Sequence, residues 1–342
     1  MSDLLPPSTL ATLTRYAEQA DLSTSFPESW PDLLEARALK WILPLERGGL
    51  DRVERMMLLE KIAGACATSA LILTQHDTAV RLLTCSANEL LRDEIFGRID
   101  REHFSMTVGV AQLTTSGQHR PPSLIAKPTK EGYRLDGKAP WVTAADRAQG
   151  IVVGAVLPDR GQLLALITGD QPGLQIEAPI PLAALSGSRT ATISFDGYLV
   201  KRSHVVAGPV AQVMGPSVGG GLDTSCVALG LGSAATAWLY TETVKRPELL
   251  VPFEILSGEA DELRSELYTL TAQSAGVDKV HSLRVKATLF ALHATQACLV
   301  AARGAGFVPP HPAARWSRQA MFCLVWSCPK NVSEGILEGL IK

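Results

Sequence analysis

The chain carries almost no excess charge of either sign, and it has no long run of basic residues. Its 342 residues include 32 Lys and Arg against 34 Asp and Glu, which gives a formal net charge of −2. Nucleic-acid-binding proteins concentrate positive charge on one face or in one segment. The sequence therefore gives no support for a nucleic-acid partner.

The sequence also lacks a charge-free hydrophobic run of the length that a membrane-spanning helix needs, which is about 20 residues. Its first residues, Met1, Ser2 and Asp3, do not form the basic segment that opens a secretory signal peptide. We therefore expect a cytoplasmic protein without a membrane partner. A content of 46% hydrophobic residues indicates a well-formed core that spans two or three structural units.

Cysteines are few and scattered, and none belongs to a C-x-x-C pair. They are Cys66, Cys85, Cys226, Cys298, Cys323 and Cys328. Most lie within apolar helical patterns, which predicts buried free thiols in a reducing compartment. The seven histidines show no metal-ligand spacing, so the sequence does not support a metal site.

Hydrophobic periodicity divides the chain into a helical part, a strand-rich part and a second helical part. We expect packed helices, then a compact antiparallel barrel or sandwich, then a packed helical bundle. The predicted domains are an N-terminal helical domain over 1–104, a central β-domain over 105–210 and a C-terminal bundle over 211–342.

The same pattern predicts the individual elements. Helices are expected over 52–83 as a pair that separates near Thr68-Ser69, and over 88–99, 222–243, 258–273, 280–302 and 313–340. Strands are expected over 105–111, 124–126, 150–157, 163–167, 174–178 and 191–195. The run 150–156 is apolar throughout, which predicts a strand buried on both faces.

The segment from Gly132 to Ala148 is the most informative part of the sequence. It predicts a short strand, a tight turn at Asp136-Gly137 and a second strand, because Gly tolerates the positive φ of a tight turn. Trp141 and Thr143, two residues apart, would point to one face of the second strand. An indole and a hydroxyl presented together suit a flat heteroaromatic cofactor. A hairpin with a half-buried Trp and no ligand is the simpler alternative.

The order GY-x-L-x-G-x-K-x-x-W-V-T-x-A-x-x-A in this segment resembles the flavin-contacting segment of the acyl-CoA dehydrogenase superfamily. In element order the resemblance covers nearly the whole chain. It implies an α+β fold with an N-terminal helical domain, a central β-barrel or sandwich and a C-terminal four-helix bundle. It also implies FAD as the cofactor, a homodimer or homotetramer, and an acyl-CoA thioester or a related small molecule as the substrate.

The resemblance further implies which residues contact the flavin. Trp141 would lie beside the ring, and Thr143 would engage it near the reactive N5. Weaker matches to the family's other cofactor contacts are Gln112, Ser116, Arg246, Gly304 and Gly306. The residues around Arg246 and Gly304 depart from the family pattern, which leaves FMN or no flavin open as alternatives to FAD.

The Glu with which acyl-CoA dehydrogenases remove the substrate α-proton is missing from its usual place near the C-terminus. Trp326 or Ser327 occupies the matching position, and neither can act as the base. Some members carry the Glu at the start of the first C-terminal helix, where this chain has Thr224. Asp223 is the nearest carboxylate there, and we expect it to be an N-cap more readily than a base. The catalytic residue is therefore unassigned.

Three functions remain open from the sequence. The first is a flavin-dependent oxidoreductase that acts on the CH–CH group of an acyl-CoA thioester or a related small molecule, although the missing Glu weighs against it. The second is a monooxygenase that uses reduced flavin and oxygen, and the third is a catalytically silent binding or scaffold protein.

His76 lies on a helix whose counterpart in the family approaches the acyl pocket, and we expect a core or solvated histidine there.

Overall fold

Five helices build the first part of the chain in the computed structural model, which describes residues 4–114, 122–169, 171–215 and 221–341. They are α1 (Pro7–Leu22), α2 (Trp30–Glu35), α3 (Arg52–Ala65), α4 (Ala67–Thr84) and α5 (Glu89–Glu102). α3 begins at a capping box, in which Asp51 and Glu54 each accept a hydrogen bond from the other's backbone N–H. Cys66 separates α3 from α4, two residues before the predicted break at Thr68.

Within the described residues, eight strands form one mixed sheet. They are β1 (Met106–Gly109), β2 (Leu124–Pro128), β3 (Gly132–Val142), β4 (Gly150–Val156), β5 (Gln162–Thr168), β6 (Leu174–Ile176), β7 (Ala191–Lys201) and β8 (Val205–Val210). The strand order is β6-β7-β3-β2-β4-β5-β8, and β1 pairs with β4 in parallel. β4 is buried at every residue except Val156, which confirms the predicted strand with two buried faces.

The last part of the chain is helical again. Its helices are α6 (Leu222–Thr243), α7 (Leu250–Gln273), α8 (Val277–Ala302), α9 (Ala313–Phe322) and α10 (Lys330–Leu340). Small residues let α6 approach its neighbours closely, because a Cβ at Gly230 would lie 2.3 Å from the Glu60 carbonyl oxygen and one at Gly232 would lie 2.4 Å from the Phe290 ring. Helices, a mixed sheet and helices again confirm the predicted fold class.

One helix in the described part of the chain is long and apolar enough to cross a membrane. It spans Val277–Phe307 with a mean hydropathy of 1.3, and half of its most apolar stretch is buried inside the fold. The helix within it, α8, packs against α6, α7, α9 and α10. Packing in the bundle therefore accounts for its apolar residues.

The predicted turn at Asp136-Gly137 is wrong, because both residues lie inside β3. Gly137 has a φ of 120°, and a Cβ there would lie 2.2 Å from the carbonyl oxygen of Ser123. The Asp136 carboxylate accepts a hydrogen bond from the Gly197 N–H on β7 at 2.8 Å. The register of β3 against β7 shifts between Leu135 and Gly137, so the pair forms a β-bulge.

Two further element predictions need correction. The single helix expected over 313–340 is two helices, because the chain leaves the helical conformation after Phe322. Ser327 has a φ of 47°, and Pro329, which cannot donate a backbone hydrogen bond, stands at the N-cap of α10. Strand β8 was missed because Gly208 and Pro209 interrupt its apolar pattern.

Candidate functional site

A cavity of about 440 Å³ lies between α4, the sheet and the segment that joins α9 to α10. We call it the Trp141 cavity. Its lining is mostly apolar and includes Leu71 from α4, Val108 from β1 and Val325 from the joining segment. Trp141 and Thr143, which the sequence singled out, both line it.

Trp141 stands where β3 loses its regular pairing. Its φ is 59°, and the register against β7 is irregular between Ala139 and Val142. Because β3 ends at Val142, strand alternation does not place Trp141 and Thr143 on one face, and that reason for their proximity was wrong. The backbone irregularity leaves the Trp141 side chain 55% exposed. Its indole surface is therefore free to contact a ligand.

Thr143 is buried beside Trp141, and neighbouring threonines fix its position. Its carbonyl oxygen accepts a hydrogen bond from Thr107 Oγ1 at 2.7 Å. Its own hydroxyl lies 3.3 Å from Thr190 Oγ1, which is 2.9 Å from the Ser188 hydroxyl. This chain of hydroxyls holds a polar group at the wall of an otherwise apolar cavity.

Arg284 on α8 holds the joining segment in place. Its guanidinium has no exposed surface, and it donates hydrogen bonds to the carbonyl oxygens of Thr224 at 3.0 Å, Cys323 at 2.8 Å and Trp326 at 3.2 Å. Burial lowers the pKa of Arg284 from its usual value. We did not foresee this residue from the sequence, although a lone Arg within the apolar pattern of α8 is the signal that could have found it.

No Asp or Glu is among the described residues that line the Trp141 cavity. Trp326 and Ser327 line it, at the place where the resemblance put the missing base. Asp223 lies elsewhere and forms an ion pair with Arg81 at 2.6 Å. The prediction that Asp223 is an N-cap was wrong, because Gly221 is the N-cap of α6 and Asp223 belongs to its first turn.

Gln112 lies next to the cavity, since Ala111 and Thr114 line it. Its Nε2 donates to the carbonyl oxygens of Gly109 and Gly154. Its Oε1 is buried and has no hydrogen-bond partner in the described part of the chain. Ser116, the other residue predicted from this loop, lies outside the described residues.

Arg246, Gly304 and Gly306 lie together near the end of α8 and do not line the Trp141 cavity. Arg246 Nη1 donates to the Ala301 carbonyl oxygen at 2.7 Å. Gly306 is buried, whereas the space around Gly304 is open. Their role as cofactor contacts stays a prediction.

His76 is a core histidine, which is one of the two environments that the sequence predicted for it. Its Nδ1 accepts a hydrogen bond from the Met106 N–H at 3.1 Å, so its Nε2 donates to the Leu39 carbonyl oxygen at 2.9 Å. Burial lowers the pKa of His76 to about 4. The imidazole is therefore neutral near pH 7 and has no hydrogen-bonding capacity left for a ligand.

No family model matches this chain, and no curated protein matches it. Among solved structures, butyryl-CoA dehydrogenase from Megasphaera elsdenii superposes with a TM-score of 0.83 at 15% identity, over 100% of this chain and 99% of that chain. The 3-HSA hydroxylase from Rhodococcus sp. RHA1 gives 0.75 at 17% identity, over 98% and 95%. XiaF from Streptomyces sp., in complex with FADH2 and glycerol, gives 0.75 at 14% identity, over 97% and 93%. The chain therefore has the acyl-CoA dehydrogenase fold, which confirms the predicted resemblance at the level of the fold.

Proposed function

We propose that this chain binds a flavin in the Trp141 cavity and is a flavin-dependent oxidoreductase. The observation that carries the proposal is the pairing of an exposed indole with the fixed Thr143 hydroxyl in one apolar cavity. Solved structures with this fold include KijD3 in complex with FMN and XiaF in complex with FADH2. FAD is the cofactor that the sequence favours, and FMN is the alternative.

The residues of the cavity fit a flavin ring. Small-molecule sites have volumes of roughly 300–1,000 Å³ and few polar groups, and this cavity of about 440 Å³ has both properties. The Trp141 indole would cover the ring, and the Thr143 hydroxyl would bond to one of its heteroatoms. Next to the cavity, Gln112 Oε1 has no hydrogen-bond partner among the described residues and would accept a hydrogen bond from a flavin N–H. If the cofactor is FAD, its phosphates or adenine would be contacted by Ser116, Arg246, Gly304 and Gly306. We propose that the chain forms a homodimer or homotetramer.

A bound flavin supplies hydride transfer or, when reduced, reaction with dioxygen. The chain's own residues would bind the flavin, orient it and exclude water from the cavity. The indole of Trp141 would shield one side of the ring, and the apolar side chains of Leu71 and Val325 would exclude water from it. Arg284 is a positioning residue, because it acts through the backbone of the segment that carries Trp326.

Of the two redox chemistries, oxygenation of a small molecule by reduced flavin is the better supported. Dehydrogenation of an acyl-CoA thioester requires a carboxylate that removes the α-proton. The described lining of the Trp141 cavity contains none, and Asp223 is paired with Arg81 outside it. Oxygenation does not require that base. Dehydrogenation of a CH–CH group in an acyl-CoA remains the second candidate because the fold is that of butyryl-CoA dehydrogenase.

The experiment that tests the proposal starts from the purified protein. Its visible absorption and the identity of any released flavin are measured first, with added FAD and FMN if it is colourless. Anaerobic bleaching by a panel of acyl-CoAs would assign dehydrogenation. A product that is heavier than its small-molecule substrate by one oxygen atom, formed with reduced flavin and air, would assign oxygenation. A protein that takes up neither FAD nor FMN would contradict both the dehydrogenation and the oxygenation proposal. A catalytically silent binding or scaffold protein would then be the remaining function.

A cytoplasmic location is proposed from the sequence alone.

A further inference from the structure

A second cavity, of about 360 Å³, lies where α3, α4, α6, α7 and α8 meet. Arg52 and Arg55 line it from the first turn of α3, and Arg81 lines it from the last turn of α4. We call it the arginine cavity. None of the three arginines lines the Trp141 cavity, so the proposed flavin site does not account for them.

The arginine cavity has more cationic than anionic groups around it. Arg81 pairs with Asp223, and Arg55 Nη1 lies 3.6 Å from the Asp77 carboxylate. Arg52 donates to the Ser274 hydroxyl at 2.7 Å, and the described residues offer it no carboxylate partner. Burial raises the pKa of Asp77 to about 7, so this carboxyl is partly protonated at neutral pH. The three guanidinium groups therefore exceed the negative charge that faces them.

Two helices begin at the same cavity. Gly221 is the N-cap of α6 and Gly276 is the N-cap of α8, and neither supplies a side chain that caps its helix. Gly221 lines the cavity, and so does Val277, the first residue of α8. The first backbone N–H groups of a helix have no partners within it, and its N-terminus carries partial positive charge. Both termini add to the positive potential of the three arginines.

One donor in the cavity wall has an ion-pair partner but no hydrogen bond. Arg55 Nη1 is buried, the Asp77 carboxylate lies 3.6 Å from it, and no described residue accepts a hydrogen bond from it. The Arg55 side chain is 11% exposed, so solvent reaches little of it, and burial lowers its pKa from the usual value. A buried cationic donor without a hydrogen bond is costly. An anion in the cavity would supply the missing acceptor.

We propose that the arginine cavity binds the carboxylate or phosphate group of a small anionic ligand, with Arg52, Arg55 and Arg81 as the cationic partners. Guanidinium groups suit both anions because their N–H donors match a pair of oxygens. The volume of about 360 Å³ admits such a group together with a short attached chain.

The anionic group has two sources: a free metabolite, or one end of the substrate whose other end lies beside the flavin. The second source rests on the proposed function, whereas the site itself does not. Arg284 links the two cavities, since it donates both to Trp326 in the wall of the Trp141 cavity and to Thr224, the residue after Asp223 in the arginine cavity. The two cavities therefore lie on either side of Arg284, and a substrate that occupied both would place its anionic end among the three arginines.

The test is calorimetric titration of the purified protein with inorganic phosphate, pyrophosphate and succinate at low salt. We expect saturable binding of at least one probe, with one site per chain. Arg52→Gln should weaken it by about ten- to hundredfold, because a charge-assisted hydrogen bond is lost. Arg52 is exposed, so the Arg52→Gln variant should fold. The separate variant Arg55→Gln should also bind the anion more weakly than wild type. Arg47→Gln, at an exposed arginine paired with Asp93 outside the cavity, is the matched control and should bind normally.

Asp223→Asn separates binding from a structural role. The amide keeps an acceptor for Arg81 but removes one negative charge, so the anion should bind more tightly, whereas a purely structural site would gain nothing. No saturable binding of any probe, or equal affinity in wild type, Arg52→Gln and Arg55→Gln, would overturn the proposal.

The heat of binding is measured without flavin, so failure of the flavin proposal leaves this result standing. In the flavin-loaded protein, a probe that shifts the visible spectrum identifies the substrate's own anionic end. Binding that depends on Arg52 without such a shift identifies a free anion. Both outcomes support the site.

Discussion

Nη2 of Arg284 donates a hydrogen bond to the carbonyl oxygen of Trp326 at 3.2 Å, and the arginine side chain that makes this bond has no exposed surface. The same nitrogen donates to Cys323, and Nη1 donates to Thr224 on α6. No carboxylate pairs with this cation in the described part of the chain. Three carbonyl oxygens compensate its burial in part, since its Nε has no hydrogen-bond partner among the described residues, and these bonds fix the wall of the Trp141 cavity against the bundle.

Replacing Arg284 by Met should therefore destabilise both the fold and the cavity. Loss of three hydrogen bonds, offset in part by relief from burying a cation, predicts a decrease of about 2–4 kcal/mol in the free energy of unfolding. Urea denaturation measures it. Lys286→Met removes an exposed cation on the same helix and should change stability by less than about 0.5 kcal/mol. Equal effects of the two variants would contradict the role given to Arg284.

Trp141→Ala should weaken flavin binding without destabilising the fold. The side chain is 55% exposed, so the free energy of unfolding should change by less than about 0.5 kcal/mol. Loss of the indole contact should raise the dissociation constant of the flavin about tenfold or more. Tyr240→Ala, at a similarly exposed aromatic residue outside the cavity, is the control for nonspecific effects. Unaltered flavin affinity in Trp141→Ala would place the flavin elsewhere.

The hydroxyl of Thr143 is tested by a pair of variants. Thr143→Val keeps the shape but loses the hydroxyl, which should lower flavin affinity by about three- to tenfold, because a neutral hydrogen bond contributes roughly 1 kcal/mol. Thr143→Ser should retain most of the affinity. Fluorescence titration with FAD and FMN gives both values. If Thr143→Ser binds flavin more weakly than Thr143→Val, then packing of the methyl group, and not the hydroxyl, determines the affinity.

Burial of His76 should make stability depend on pH. Its pKa is lowered to about 4, so below its ordinary pKa the unfolded chain binds a proton that the folded chain does not. The stabilisation is present above about pH 6.5 and is lost as the pH falls towards 4, by up to about 3 kcal/mol. His76→Gln removes this titration. The stability difference between wild type and variant should shrink between about pH 7 and pH 4.5, and a constant difference would contradict the assignment.

The order of elements could be predicted from the sequence because hydrophobic period is a local property of the chain. The conformation of Asp136-Gly137 could not, since it depends on Ser123 and Gly197, which pack there from other strands. A dipeptide that favours a turn in isolation is held in a bulge when strands flank it on both sides.

The candidate site was predicted only in part. Trp141 and Thr143 share one cavity, but the cause is an irregular strand end that strand alternation does not foresee. Arg284 was missed because its position in the α8 sequence says nothing of the carbonyl oxygens that it meets in the folded chain. The arginine cavity combines residues from five helices, and their proximity is a property of the packed bundle alone.

Flavin binding in the Trp141 cavity is tested most directly by a fluorescence titration of wild type and Trp141→Ala with FAD and FMN. The indole lies in the proposed flavin site, so bound flavin should quench the wild-type tryptophan emission in a saturable manner. We expect one flavin per chain in wild type and about tenfold weaker binding in the variant. Absence of saturable binding of either flavin to the wild-type protein would contradict it.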